Sequence, residues 1–143
     1  MRILFLGDVV GISGCSKITN NLLEQIKTNE IDFVIVNGEN AAEAGVGLTK
    51  EICNDFFRCG VNVITTGNHV WDQKDIINFI DHENRLLRPK NLFEPAPGKG
   101  FQVYKNTDNI YSLKFISFSY QRQMSFMDIS HCGNKINFFL IFV

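Results

Sequence analysis

Four kinds of pattern are missing from this sequence, and each absence removes a class of protein. Its four cysteines, Cys15, Cys53, Cys59 and Cys132, form no C-x-x-C pair and follow no metal-finger spacing. Two of them fall within helical patterns, where a free thiol behaves as a small hydrophobe, so a reduced, cytoplasmic chain is expected. Charge of one sign is also lacking. A formal net charge of -1 argues against an extensive nucleic-acid surface built on phosphate contacts, so any nucleotide would be held at a local site. Finally, there is no membrane-spanning run. Ile3–Leu6 begins like a signal peptide but Asp8 interrupts it, and the apolar stretch 136–143 is far too short to cross a bilayer. Familiar phosphate and nucleophile fingerprints fail as well. The segment Gly7-Asp-Val-Val-Gly11-Ile-Ser-Gly14 lacks G-x-G-x-x-G spacing, and neither G-x-x-x-x-G-K-[ST] nor G-x-S-x-G occurs.

What is present suits one globular domain over 1–143, with 45% hydrophobic residues and 20% charged ones. The first eighty residues repeat one unit. Arg2–Gly7, Ile31–Asn37 and Val61–Thr66 are short apolar runs of the kind buried parallel strands show. Between them, Ile18, Leu22, Leu23 and Ile26 recur at helical spacing. Thr49 is placed to cap a helix carrying Ile52, Phe56 and Phe57, which Gly60 ends. Asp72 and Asp75 open a further helix through Ile80. Strands alternating with helices predict an α/β fold with a parallel sheet and right-handed crossovers. Beyond a Pro/Gly-punctuated loop, 89–100, strands are expected at Phe101–Tyr104 and Tyr111–Tyr120, joined by a polar turn at 106–109. After about Tyr120 the pattern degrades.

Each of the first three strands ends in polar residues suited to a metal: Gly7-Asp8, Gly38-Glu39-Asn40 and Gly67-Asn68-His69. In an open α/β sheet, ligands bind beyond the carboxyl ends of the strands, so adjacent parallel strands would bring these tips together. Carboxylate, carboxamide and imidazole groups there suit divalent ions. A two-metal site needs one carboxylate touching both ions, which sit ~3.5–4 Å apart. Glu39, on the central tip, is the bridging candidate, with Asp8 and Asn40 on one ion and Asn68 on the other. His69, one position round the turn, is placed to protonate a leaving oxygen. Singly, each residue has a plain alternative. Asp8 can cap a loop or helix, Glu39-Asn40 can form a turn, Asn68 can favour left-handed backbone, and His69 can be a hydrogen-bonded structural residue. Trp71 suits the core or a site wall equally, and His82 reads as a solvated surface residue.

The strings Gly7-Asp8-Val-Val-Gly11, Val36-Asn37-Gly38-Glu39-Asn40-Ala41-Ala42, Thr66-Gly67-Asn68-His69-Val-Trp71-Asp72 and Leu87-Arg88-Pro89 closely resemble the YmdB-type calcineurin-like metallophosphoesterases. The resemblance runs from Met1 through about Tyr104. It implies a metallophosphoesterase-like αββα sandwich, a centre of two divalent ions (iron or manganese), and hydrolysis of 2′,3′-cyclic nucleotides or related phosphate esters. Carried over, the family's metal ligands fall on Asp8, Glu39, Asn40 and Asn68, and its proton donor falls on His69.

Departures from the family pattern begin after Tyr104. The family's H-x-H ligand pair has no counterpart, since only His131 follows His82. Its domain is also close to twice this length. The expectation is therefore the first βαβαβ layer plus part of the second, family-like to about 104–120, with a divergent tail over 121–143. The second ion would lack most of its nitrogen ligands. The alternative reading is a catalytically dead remnant that binds metal or nucleotide weakly. With the second sheet reduced, the inner face formed by alternate residues of Ile3–Leu6, Phe33–Val36 and Val61–Ile64 is expected to be incompletely covered, which favours self-association. In this reading the tail Phe138–Val143 folds back over that face.

Overall fold

The computed structural model describes residues 1–105 and three further strands, Ser112–Phe118, Met124–Asp128 and Asn137–Ile141. In chain order the elements are β1 (Arg2–Leu6), α1 (Gly11–Thr28), β2 (Phe33–Asn37), α2 (Lys50–Arg58), β3 (Val63–Thr65), a 3₁₀ turn (Lys74–Asn78) and β4 (Leu86–Leu87). They are followed by β5 (Phe101–Lys105), β6 (Ser112–Phe118), β7 (Met124–Asp128) and β8 (Asn137–Ile141). One sheet has the order β4-β3-β2-β1-β8, and β5-β6-β7 form a second. Every pairing in the first is parallel, with Leu4 opposite Val34 and Val36 opposite Ile64. The second is antiparallel. Among the described residues no helix is long and apolar enough to cross a membrane.

Period-two alternation sends the strand residues to two different cores. Leu4, Leu6, Val34, Val36, Ile64 and Leu86 pack with Ile18 and Leu22 of α1 and with Cys53 and Phe56 of α2. Burial of each such side chain contributes about 1.5–3 kcal/mol relative to exposure. On the opposite face Ile3, Ile35, Val63 and Leu87 form a second cluster, against which Met1, Phe5, Phe33 and Tyr104 pack. The rings of Phe33 and Tyr104 lie 5.8 Å apart between centroids. This inner face was expected to be incompletely covered, yet those four aliphatic residues are at most 1% exposed. The first strand of the second sheet supplies part of the cover through Tyr104.

Three other expectations change. The helix anticipated from Asp72 to Ile80 is a five-residue 3₁₀ segment whose N-cap is Gln73, without a capping side-chain bond. The Asp72 carboxylate is engaged elsewhere, so it does not nucleate an α-helix. The two-residue strand β4 was not anticipated, because two residues carry no periodicity. The tail does not fold back over the inner face: β8 extends the first sheet, with Arg2 opposite Asn137 and Leu6 opposite Ile141. An unpaired β1 edge would leave a row of backbone donors and acceptors open, and the apolar Asn137–Ile141 run fills it. The 106–109 turn and His131 lie outside the described residues. The remaining landmarks agree: Thr49 caps α2 by accepting from the Ile52 N–H at 3.4 Å, and Gly60 follows the α2 C-cap at Cys59.

Candidate metal centre

Backbone hydrogen bonds continue past the strand ends and lock the three tips together. The Val9 N–H donates to the Asn37 carbonyl at 3.1 Å, Gly11 N–H to Asn40 at 2.9 Å, and Gly38 N–H to Thr65 at 3.0 Å. Asp8 follows a cis Gly7–Asp8 peptide. The Asn40 amide donates to Asp8 Oδ2 at 2.9 Å, so these two residues share one side of the site. Asn37 Oδ1 accepts from the Glu39 N–H at 3.3 Å, while the Glu39 carbonyl takes the Gly47 N–H at 2.6 Å. The Glu39 backbone is thus held from both flanks.

Glu39 is 0% exposed. Both of its carboxylate oxygens, and Asp8 Oδ1, are buried and without a hydrogen-bond partner among the described residues. Burial pushes the Glu39 carboxyl up to about 7, and the nearby Asp8 charge adds to the rise. The His69 ring and the Asn68 backbone N–H lie close enough to temper it. Two carboxylates with three orphaned oxygens are costly in a protein interior unless a cation joins them. That donor chemistry, with the Asn40 and Asn68 carboxamides at the rim, fits a hard or borderline divalent ion. Among the described residues no three His, Cys, Asp or Glu side chains gather on a metal position.

The glycine at the third tip is dictated by this packing. A Cβ on Gly67 would lie 1.4 Å from Glu39 Oε2, so only glycine lets the carboxylate occupy its position. Gly67→Ala is therefore expected to displace Glu39 and reduce bound metal sharply while the helix-side core stays intact. Elemental analysis alongside near-native circular dichroism checks this, and undiminished metal would show that Glu39 does not need its observed place.

Beyond Gly67, Asn68 is exposed and His69 is partly exposed. His69 Nδ1 and Asp72 Oδ2 are 2.7 Å apart. Asp72 was read only as a helix start; the His-x-x-Asp spacing at a turn is the signal that could have revealed the pair. Arg88, in the Leu87-Arg88-Pro89 string, is buried. It donates to the carbonyls of Pro89, Ala96 and Pro97 and to the Glu94 carboxylate. Its observed work is to hold the 89–97 loop. Trp71 is partly buried against the helix-side core, and His82 is exposed as expected.

The sequence from residue 4 to 135 matches the family model described as YmdB-like protein. A Bacillus subtilis protein named 2′,3′-cyclic-nucleotide 2′-phosphodiesterase is 46% identical over 106 residues, covering 73% of this chain and 39% of that relative. A solved Thermus thermophilus structure, titled a hypothetical protein, superposes with a TM-score of 0.74 at 36% identity. It covers 82% of this chain and 44% of its own. A Mycoplasma pneumoniae structure titled a novel phosphatase gives 0.72 at 35% identity, over 80% of this chain and 41% of its own. The chain spans 32–39% of the length of the curated relatives it matches. The metallophosphoesterase-like α/β architecture is thus shared with solved relatives, and the chain belongs to the YmdB-like family.

Proposed function

We propose that this chain carries the amino-terminal share of a two-metal phosphodiesterase centre acting on 2′,3′-cyclic nucleotides or related small phosphate esters. The observation that carries the reading is the set of buried, partnerless carboxylate oxygens on Asp8 and Glu39 at adjoining strand tips. The name of the Bacillus subtilis relative, 2′,3′-cyclic-nucleotide 2′-phosphodiesterase, supports the substrate class. When bound, the two ions, iron or manganese, supply Lewis-acid stabilisation of the phosphoryl oxygens and activation of the attacking water.

The chain's own residues divide the remaining work. Glu39, Asp8, Asn40 and Asn68 would hold the ions, with Glu39 placed to serve both, Asp8 and Asn40 one of them and Asn68 the other. His69 delivers a proton to the departing ester oxygen, which would otherwise leave as an alkoxide. The test is metal analysis of the purified chain, followed by assays on a chromogenic phosphodiester and on a 2′,3′-cyclic nucleotide. Metal-dependent hydrolysis supports the proposal. Bound metal without hydrolysis would assign the chain a metal-binding role only, and no metal under any loading condition would defeat the proposal.

A further inference from the structure

We propose that Asn37 is a positioning residue, which holds the turn that carries Glu39 in register with the tip that carries Asp8. This role rests on the reading of Asp8 and Glu39 as metal ligands and adds the part that places them. Asn37 is the last residue of β2 and is 8% exposed. Period-two alternation puts it in one row with Phe33 and Ile35, which pack in the inner apolar cluster. A carboxamide at the end of such a row is costly to bury unless it is hydrogen-bonded. Its bond goes to the site, where Oδ1 accepts the Glu39 N–H at 3.3 Å. Only the oxygen end of a carboxamide accepts an N–H, so this bond also fixes which way the side chain is turned.

The three strand tips meet at this residue. The Asn37 carbonyl accepts the N–H of Val9, the neighbour of Asp8, at 3.1 Å. A Cβ on Gly7, the other neighbour of Asp8, would lie 3.6 Å from Asn37 Cβ. On its far side Asn37 pairs with Thr65 of β3, and the next N–H, that of Gly38, donates to the Thr65 carbonyl at 3.0 Å. The Asp8 and Glu39 carboxylates carry buried oxygens without partners, and like charges this near push apart until a cation joins them. Something other than their own interaction must therefore hold them close. Asn37 does so without charge, whereas an aspartate there would add a third negative group to the same space. The competing account is a carboxamide that merely satisfies one buried N–H and so contributes only to general stability.

Hydrogen–deuterium exchange of metal-free protein, read by mass spectrometry with fragmentation to single residues, separates the accounts. In the parent the Glu39 amide should be protected from exchange, and Asn37→Ala should speed it by about tenfold. Asn37→Ser, whose hydroxyl can accept the same N–H, should recover most of the protection. The Leu4 and Ile64 amides should keep the parent rate in both variants. Manganese binding is measured on the same samples by equilibrium dialysis. Asn37→Ala should weaken it by about 10–100-fold, as loss of a bond that orients a ligand does, and Asn37→Ser should weaken it less. A Glu39 amide unprotected in the parent, an outcome that needs no variant to fold, would overturn the inference. So would acceleration of Leu4 and Ile64 together with Glu39, the mark of a general loss of stability, or parent-like manganese affinity in Asn37→Ala. A parent that takes up no manganese counts against the phosphodiesterase reading, and the exchange pattern alone then decides the role of Asn37.

Discussion

Glu39→Gln protein is expected to purify with metal at background level, whereas Asp8→Asn should keep a measurable fraction. The difference follows from position. Glu39 is the fully buried carboxylate on the middle tip, and in the proposed centre it would touch both ions, whereas Asp8, which accepts from the Asn40 amide, would serve one. Equal metal loss in the two variants, by elemental analysis, would remove the bridging role. The same substitution has a second signature in metal-free protein. The Glu39 carboxyl is pushed up to about 7 in the fold, while in the unfolded chain it ionises in the ordinary carboxylate range. The folded state therefore holds a proton that the unfolded state has lost. Stability that Glu39 permits at low pH fades as pH rises from about 4.5 to about 7, and stays lost above it. Glutamine has no such dependence. Between about pH 4 and pH 8 the stability difference should move by about 2–3 kcal/mol in favour of Glu39→Gln. Urea midpoints at the two values measure it. A constant difference would mean that water or another group already satisfies the carboxylate.

His69→Ala should do the opposite: leave metal content unchanged and remove the rate. The measurement is best made in a fusion that joins the C-terminal half of a full-length relative after Tyr104, so that the family's remaining ligands are present. General acid catalysis contributes ~10²–10⁴-fold, and the loss should fall in that range. It should be smaller for a substrate whose leaving group, such as nitrophenolate, needs little protonation. Loss of metal together with rate would make His69 a ligand. An equal loss for good and poor leaving groups would also reject proton donation.

Much of the amino-terminal sheet was legible because its signals are local. Ile3–Leu6 and Phe33–Val36 are buried on two faces and so read as continuous apolar runs, and Thr49 announces its helix by a single hydroxyl. The strand tips stood out for a different reason: Asp8, Glu39 and Asn68 each follow a glycine at the end of one of three successive strands, and parallel pairing sets such ends side by side. Illegible features depended on partners far away in the chain. Leu86 and Leu87 become a strand only because Ile64 and Thr65 offer them a ladder. Asp72 carries the composition of a helix start, but the His69 ring outcompetes backbone N–H groups for its carboxylate. The need for Gly67 is invisible without knowing that the Glu39 carboxylate rests on its α-carbon.

The β1–β8 ladder also has a bearing on how the chain is made. It pairs Arg2 with Asn137, so the strand that leads into Asp8 leaves the ribosome well before the strand that covers its edge. Until then its outer edge is a template for any extended peptide nearby, and contacts this distant in sequence form slowly. Vectorial synthesis thus leaves a window in which β1, β2 and β3 can assemble on α1 and α2 while the flank beside Asp8 stays open. A chaperone that covers short extended segments would act on this chain during that interval, and slowing the ribosome between β1 and β8 would lengthen the exposure.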